Sequence, residues 1–333
     1  MPLHLRRPRW PRIGGVRAEP VPTLGGSGTS RPRHPDQPFD PIRVRIVLDG
    51  SGSALTVASL NLHAGVDDQN VPFDVVGACA LLDADVVVLQ EVWWPHGGWS
   101  QADDVGRALG YEVCWTPFGT GRRFPEPAVG GHGVGRWTGR PPAVVLDRRG
   151  RARGEVPGVG DVPAGRAERR STRVGDRVGE PGRLGLAVLS RLPVRSQRTV
   201  ELRCLRRDGA SRAALVVVLG VGDVDVTVVG VHMAHLSQGS LWQYADLRRA
   251  LAASVPAGVV AGDMNLWGPV VQRLLPGWRR AVIGRSWPAR LPVGQPDHVL
   301  VRSSLRPDRG EVMAGVGSDH RPVRARLALV PAV

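Results

Sequence analysis

The sequence predicts an α/β protein in which two β-sheets pack together and helices cover their outer faces. Short apolar runs rich in valine recur along the chain, and segments with helical periodicity separate several of them. The runs at 212–220 and 224–231 are joined by only three residues, which is typical of an antiparallel hairpin. With 333 residues and 42% hydrophobic content, the chain can bury one large core, and a domain of about 250 residues plus loops is within normal limits.

Apolar spacing and capping residues predict the individual elements. Helices are expected near 73–83, 101–109, 239–254 and 268–275, and Gly110 supplies an end for the second of them. Strands are expected near 43–48, 55–62, 85–91, 111–116, 185–190, 194–203, 212–220, 224–232, 257–262, 297–303, 311–316 and 321–329. A further short run at 143–147 is predicted to be one strand of a hairpin.

Polar side chains of similar chemistry occur at the ends of five predicted strands. The clusters are Asn61 with His63, Gln90 with Glu91, His232 alone, Asp263 with Asn265, and Asp297 with His298. An α/β sheet holds the loops at its strand ends rigidly, and chemistry is commonly placed there. We therefore expect the five clusters to form one site.

A sixth segment, Gly317 to Val323, is the most informative in the chain because it pairs Asp319 with His320. A carboxylate can hold a hard divalent cation while a neighbouring imidazole acts on a phosphate. Glu91 points to the same chemistry, since only Gln90 separates it from the run 86–89, which is expected to be a buried strand. An unpaired charge buried there would cost several kcal/mol, and a bound cation would remove that cost.

The order of these segments resembles the endonuclease/exonuclease/phosphatase superfamily, the metal-dependent phosphodiesterases and phosphatases that share the deoxyribonuclease I fold. The segments that carry the resemblance are Ser59 to Asn61, Leu89 to Val92, Gly185 to Pro193, Val231 to Met233, Gly262 to Asn265, Pro296 to Val299 and Ser318 to Pro322. The resemblance implies a four-layer α/β/β/α sandwich with two mixed β-sheets. Residues 60–65 are similar to the bacterial branch of the superfamily.

The resemblance also implies a role for each polar residue. The implied metal ligands are Asn61, Glu91 and Asp319, with Mg²⁺ or Mn²⁺ as the cation, and the implied catalytic residues are His232, Asp263, Asn265, Asp297 and His320. Asp263 would orient or deprotonate the attacking water, and Asn265 would donate to a phosphoryl oxygen. His232 would bind phosphate or protonate the leaving group. Asp297 would hold the ring of His320 in one tautomer.

Three other residues are candidates for contact with the substrate: His63, His235 and Trp93. His63 would point to the same side as Asn61 if the strand continues, whereas a turn would release it, and His235 has no secure counterpart in the superfamily. Trp93, Trp94 and Trp99 could form an aromatic wall for a base, an inositol ring or a lipid, but simple packing is the commoner use and is expected for at least two of them.

The net charge of +14 invites a nucleic-acid interpretation, which the composition weakens. All 44 basic residues are arginine, a pattern typical of a GC-rich coding sequence. Residues 1–42 are expected to be a disordered basic tail, and residues 43–333 a catalytic domain with an Arg/Gly-rich insert at about 120–182. The insert could select the substrate or be a surface loop. The basic C-terminal half could attract a phosphate-bearing substrate.

Composition also bears on location and metal type. No stretch approaches about 18 consecutive apolar residues, and no apolar region follows Arg6 and Arg7, so we expect a cytoplasmic protein. The three cysteines lie far apart, which argues against a disulfide framework and a zinc site. We expect a monomer.

The sequence thus predicts a divalent-metal-dependent phosphoesterase that hydrolyses a phosphodiester or phosphomonoester by metal-assisted attack of water. Its partner would be a phosphate ester, with nucleic acid and phospholipid head groups both open. A nuclease acting on DNA or RNA is the first alternative. It is not preferred, because relatives that cleave at apurinic sites usually carry a lysine soon after the metal glutamate, and this chain has none. A non-catalytic binding module is the second alternative, and the presence of Glu91 and His320 counts against it.

Overall fold

The computed structural model describes residues 54–124, 144–146, 179–252, 258–302 and 305–329. The predicted strand at 43–48, the tail at 1–42 and most of the predicted insert at 120–182 lie outside the described residues. The predicted domain boundaries therefore stay predictions.

The described residues form four helices and thirteen strands. The helices are α1 (Val75–Leu82), α2 (Gln101–Leu109), α3 (Leu241–Ala252) and α4 (Val270–Leu274). The strands are β1 (Ala54–Asn61), β2 (Val86–Pro95), β3 (Glu112–Arg123), β4 (Val144–Leu146), β5 (Glu180–Ser190), β6 (Val194–Glu201), β7 (Ala213–Val221), β8 (Val224–His232), β9 (Gly258–Asp263), β10 (Arg279–Arg280), β11 (Asp297–Val301), β12 (Leu305–Val312) and β13 (Val323–Leu329).

Local sequence signals account for the ends of helix α2. The Ser100 side chain accepts a hydrogen bond from the backbone N–H of Asp103, and the Asp103 carboxylate accepts one from the backbone N–H of Ser100. This reciprocal pair satisfies two backbone donors that the first turn leaves open. The helix ends at Gly110, whose φ of 73° is a left-handed conformation that glycine adopts at little cost.

The strands form two mixed sheets. One has seven strands in the order β12-β13-β1-β2-β5-β3-β4, and the other has six in the order β10-β11-β9-β8-β7-β6. Among the described strands, β1 with β2 and β8 with β9 are parallel, and the remaining neighbours are antiparallel. Each parallel pair is connected through a helix, α1 or α3, as parallel strands require.

The layers follow the predicted order of helix, sheet, sheet and helix. Val88 of β2 and Val228 of β8 belong to a core cluster that the two sheets share. Leu82 of α1 packs on the outer face of the seven-stranded sheet, and Tyr244 of α3 packs on the outer face of the six-stranded sheet. The predicted four-layer α/β/β/α sandwich is therefore confirmed. No described helix is long and apolar enough to cross a membrane.

Several boundaries differ from the sequence-based expectation. Strand β3 continues to Arg123, past the expected end at 116, and β5 begins at Glu180, before the expected start at 185. Two further differences involve register shifts. The strand expected at 311–316 lies at Leu305–Val312. Pro307 and Asp308 are residues seldom found inside strands, and the strand contains a register shift between Pro307 and Arg309, so the sequence did not mark it as a strand. Strand β2 continues to Pro95, four residues past Glu91, because it resumes after a register shift. Such bulges carry little sequence signal, since one extra residue interrupts the alternation that marks a strand.

Candidate active site

The register of the strands brings the predicted polar clusters together. Asn61 pairs with Gln90 across the parallel strands β1 and β2, and His232 pairs with Asp263 across β8 and β9. Asp297 is the first residue of β11 and pairs with Asp263, the last residue of β9, because the start of one antiparallel strand lies beside the end of its neighbour. The polar ends of five strands, two from the seven-stranded sheet and three from the six-stranded sheet, therefore meet, and Asn61 contacts Asp263 from one sheet to the other.

Glu91 occupies an unusual backbone position at this junction. Its φ is 52°, in the left-handed region that non-glycine residues seldom adopt, and it lies in the register shift between Leu89 and Val92. The backbone change turns its carboxylate out of the strand, where the side chain keeps 24% exposure. Strained conformations of this kind concentrate at functional sites, so we interpret Glu91 as a residue held in place for its chemistry.

Asp263 is the centre of the cluster. Its Oδ2 accepts a hydrogen bond from Asn61 Nδ2 at 3.1 Å and lies 3.6 Å from His232 Nε2 and 3.9 Å from His320 Nε2. Its Oδ1 accepts from the backbone N–H of Asn265 at 2.8 Å. Burial would raise the pKa of Asp263, but the two histidines and these hydrogen bonds outweigh it and lower the pKa below its ordinary value.

The loop that carries Asp263 has little freedom. Gly262 has a φ of 148°, and a Cβ atom there would lie 1.9 Å from the Val231 carbonyl oxygen, so only glycine fits before Asp263. Asn265 is left-handed with a φ of 48°, and its Nδ2 donates to the Met233 carbonyl oxygen at 2.8 Å. The Tyr244 hydroxyl donates to the Met264 carbonyl oxygen at 2.6 Å, which ties the loop to helix α3.

Asp297 and His320 form a buried hydrogen-bonded pair. His320 Nδ1 lies 2.9 Å from Asp297 Oδ2, and Asp297 is fully buried. Burial alone would lower the pKa of His320, but the charges of Asp297, Asp319 and Asp263 outweigh it, and the pKa is raised well above its ordinary value. His320 Nε2 is thereby directed at Asp263 with a proton available to donate.

His232 has the opposite electrostatic character. Burial, followed by the charge of Arg212, lowers its pKa well below the ordinary value, so the ring is neutral. The edge of Phe118 packs against it with ring centroids 5.6 Å apart. Its Nε2 lies 3.9 Å from Glu91 Oε1, and its Nδ1 has no hydrogen-bond partner among the described residues. The site therefore combines one neutral imidazole with one that holds its proton.

Asp319 lies at the edge of the cluster. Its Oδ1 is 3.7 Å from His63 Nδ1, and its Oδ2 accepts a hydrogen bond from Trp287 Nε1 at 3.3 Å. The preceding Ser318 donates to the Asn61 carbonyl oxygen at 2.6 Å, which fixes the turn to the end of β1. Asp319 and Ser318 also line a cavity of about 260 Å³ together with Asp67, Asp68, Pro288, Ala289, Arg290, Gly315 and Gly317.

The described residues offer two places for a divalent cation, and the first is a cluster of two aspartates and a histidine. Among the described residues, Asp263, Asp297 and His320 form a group whose ligand atoms all lie within 4.8 Å of each other. Because Asp297 already binds His320 through Oδ2, and Ser286 donates to that same oxygen at 2.6 Å, we interpret this group as a proton-carrying network.

Glu91 fits a cation better. In the described part of the chain, the only hydrogen bond to its carboxylate comes from Asn61 Nδ2 at a long 3.5 Å. A partly exposed carboxylate with so few partners can offer its oxygens to Mg²⁺ or Mn²⁺, which favour such hard ligands. The Asn61 amide oxygen accepts from the backbone N–H of His63 at 3.0 Å, so the structure shows Asn61 orienting Glu91 and Asp263 through its Nδ2. Metal binding by Asn61 and Asp319 stays a prediction.

The three residues suggested as substrate contacts differ in position. His63 lies at the site, with a φ of 47° and Nδ1 facing Asp319. His235 is exposed, and the hydrogen bond of its backbone N–H goes to Gln238 Oε1. Trp93 is only 1% exposed, and its Nε1 donates to Glu180 at 3.0 Å. The ring of Trp93 is thus packed in the protein interior, and its contact with substrate stays a prediction.

Two residues at the site were not predicted from the sequence, Ser286 and Trp287. They donate to Asp297 and Asp319 respectively. They lie in an irregular segment before β11, where neither strand alternation nor helical periodicity marks a residue as functional. The adjacent Trp287-Pro288 bond is cis.

Comparisons with known proteins identify the family and agree with the fold. The model of the Endonuclease/Exonuclease/phosphatase family matches residues 58–320. A solved endonuclease/exonuclease/phosphatase from Beutenbergia cavernae DSM 12333 is 20% identical, with a TM-score of 0.54 over 84% of this chain and 72% of that chain. A family protein from Leptotrichia buccalis C-1013-b is 12% identical, with a TM-score of 0.55 over 83% of this chain and 100% of that chain.

A third similar structure contains a nucleic acid. It is D. rerio TDP2 complexed with single strand DNA product, 16% identical, with a TM-score of 0.51 over 83% of this chain and 99% of that chain. At these identities the structural similarity establishes the fold alone. A search of curated proteins found no match.

Proposed function

The chain belongs to the endonuclease/exonuclease/phosphatase family, and from that premise we propose that it is a divalent-metal-dependent phosphoesterase. Its substrate would be a phosphodiester or phosphomonoester, and the reaction would be attack of water on phosphorus. The observation that carries the proposal is the surroundings of Asp263, a buried carboxylate within 3.9 Å of two imidazoles and bound by the Asn61 amide.

The proposed roles follow from charge and position. Asp263 orients the attacking water and accepts its proton, because its lowered pKa keeps it ionised and Asn61 and Asn265 fix both oxygens. His320 donates a hydrogen bond to the phosphoryl group or a proton to the leaving oxygen, with its ring oriented by Asp297. His232 is neutral and offers a hydrogen bond without adding charge.

Glu91, together with Asn61 and Asp319, would hold the divalent cation. A bound cation would neutralise the non-bridging phosphoryl oxygens. Asn265 would donate to a phosphoryl oxygen with the N–H that Met233 does not use.

An activity screen with a matched pair of variants tests the proposal. The wild type should hydrolyse at least one of a chromogenic phosphodiester, phosphorylated inositols, phospholipid head groups and single-stranded DNA when Mg²⁺ or Mn²⁺ is supplied. Asp263→Asn should lower turnover by at least ~100-fold, the scale of losing a main catalytic group. Asp308→Asn, which removes an exposed carboxylate on β12, should leave turnover unchanged. Equal activity of the two variants would contradict the proposal.

A nuclease is the second candidate, favoured by the net charge of +14 and by the DNA product bound to the similar D. rerio TDP2. Nucleic-acid binding through arginines should weaken steeply with salt, because each phosphate contact releases counterions. If single-stranded DNA is cleaved fastest in the screen and its KM rises steeply between 50 and 200 mM salt, nuclease activity is the correct assignment. A salt-independent preference for a small ester excludes it.

A further inference from the structure

The segment Ser286–Ala289 runs alongside the turn that carries Asp319 and His320. Its backbone is fixed at both ends: the Arg321 N–H donates to the Ser286 carbonyl oxygen at 2.8 Å, and the Ala289 N–H donates to the Asp319 carbonyl oxygen at 2.7 Å. The Arg321 guanidinium adds a hydrogen bond to the Ala289 carbonyl oxygen at 2.7 Å. These contacts hold the segment against the turn without any help from the Ser286 and Trp287 side chains.

The Ser286 hydroxyl makes a further contact, separate from the hydrogen bonds that hold the segment to the turn. It donates to Asp297 Oδ2 at 2.6 Å, the oxygen that also lies 2.9 Å from His320 Nδ1. Ser286 and Asp297 are both fully buried, and among the described residues the Asp297 side chain accepts hydrogen bonds only from Ser286 and His320. The hydroxyl therefore limits rotation of the carboxylate that orients the His320 ring.

The Trp287 indole makes the matching contact to the neighbouring acid. Its Nε1 donates to Asp319 Oδ2 at 3.3 Å, while its ring lies 6.3 Å from the His320 ring, centroid to centroid. The other near groups to this carboxylate are the Ser318 hydroxyl at 3.4 Å and His63 Nδ1 at 3.7 Å, both at Oδ1. Among the described residues, the indole is thus the one hydrogen-bond donor to Oδ2 of Asp319.

We propose that Ser286 and Trp287 are positioning residues for the phosphoesterase reaction, acting through Asp297 and Asp319 respectively. The inference rests on the proposed function and assigns a different role to each of the two residues. Ser286 fixes the carboxylate that orients His320, so it acts on the chemical step. Trp287 fixes a proposed ligand of the cation, so it acts on metal affinity.

The role of Ser286 is tested with two variants and with a double-mutant cycle that includes Asp297→Asn. Ser286→Ala should lower kcat about 10- to 100-fold, the usual effect of removing a group that orients a catalytic residue, with KM nearly unchanged. Ser286→Thr keeps the hydroxyl and should recover most of that loss. In an Asp297→Asn background, Ser286→Ala should have little additional effect, because its target carboxylate is gone.

A structural role alone would give another pattern. Ser286→Ala and Ser286→Thr would then differ in melting temperature and not in kcat. Alternatively, Ser286→Ala would lower kcat by the same factor in the Asp297→Asn background as in the wild type. Either result overturns the assignment of Ser286.

Trp287 is tested with Trp287→Phe, which keeps a ring but removes the indole N–H. The Mn²⁺ concentration that produces half of the maximal rise in melting temperature should increase about 10-fold or more. This readout needs no turnover. Ser286→Ala should leave the Mn²⁺ titration as it is in the wild type, and an unchanged titration for Trp287→Phe overturns the assignment of Trp287.

Failure of the proposed function looks different from failure of this inference. If the wild type hydrolyses no phosphate ester, the function is wrong, while the Mn²⁺ titration still reports on Trp287. If the wild type is active but the serine and tryptophan variants behave as it does, the positioning roles are wrong and the function stands.

Discussion

His298 gives the structure its most quantitative prediction, a dependence of stability on pH. The residue follows Asp297 on β11 and is fully buried, with Nε2 2.9 Å from the Leu266 carbonyl oxygen. Leu266 continues the loop that carries Asp263. Burial is the main cause that lowers the pKa of His298, to about 4.

The direction of the pH dependence follows from where His298 takes up its proton in the unfolded and folded states. In the unfolded chain His298 takes up a proton near its ordinary pKa of 6.5, but in the folded protein only near 4. Between these values the unfolded state binds more protons, so stability rises with pH across this window and is lost as pH falls through it. A difference of about 2.5 in pKa, at 1.36 kcal/mol for each unit, amounts to about 3 kcal/mol. About 2 kcal/mol of this is lost between pH 7.5 and pH 5.

The perturbation is His298→Gln, because the glutamine amide can still donate to the Leu266 carbonyl oxygen but does not titrate. Free energies of unfolding would be measured by urea denaturation at several pH values, followed by tryptophan fluorescence. On acidification from pH 7.5 to pH 5, the wild type should lose about 2 kcal/mol more than the variant. His232 contributes in the same direction in both proteins and cancels in the comparison.

The exposed His96 supplies a control, since His96→Gln should follow the wild type at every pH. Parallel curves for the wild type and His298→Gln, within about 0.5 kcal/mol, would refute the reasoning. They would mean that His298 takes up its proton equally well in the folded protein, and that the Leu266 contact does not depend on a neutral ring.

Three other predictions concern the site and the tail. Glu91→Gln should leave the fold intact, weaken Mn²⁺ binding measured by calorimetry and lower turnover by at least ~100-fold, and wild-type affinity would contradict its role. The effects of Asp297→Asn and His320→Gln on kcat should be strongly non-additive, because either substitution breaks the same hydrogen-bonded pair. If the double variant loses the product of the two single losses, the residues act separately. Deleting residues 1–42, which contain no proposed site residue, should leave turnover of a small soluble phosphodiester unchanged but weaken binding to DNA, because the tail has more arginines than acids.

The sequence was sufficient for the fold and for most of the residues that meet at the site. Asp263 and Glu91 stand out because each is an acid at the end of a valine-rich strand, and burial makes an unsupported carboxylate costly. The pairing of Asp297 with His320 was predicted from the family resemblance, and the structure brings their side chains to 2.9 Å.

Other features have no local signal. The left-handed conformation of Glu91 depends on a register shift between β2 and β5, which is a property of two strands far apart in the sequence. Ser286 and Trp287 reach the site only because the segment between β10 and β11 folds back on the turn at 318–321. The interior position of Trp93 is set by contacts with Ala64 and Leu184, which come from other parts of the chain and leave no local signal.

The charge of the site explains why a cation and a phosphate ester should bind together. Four carboxyl groups, those of Glu91, Asp263, Asp297 and Asp319, converge there, and the charges of the three aspartates outweigh burial and hold the pKa of His320 above its ordinary value. An anionic substrate would be repelled from such a site. A divalent cation at Glu91 reverses the local sign and can bind phosphoryl oxygens directly. Metal and substrate should therefore bind with positive coupling: inorganic phosphate should raise the melting temperature only when Mg²⁺ or Mn²⁺ is present. Equal stabilisation by phosphate with and without the cation would show that arginines, and not a metal, receive the phosphate.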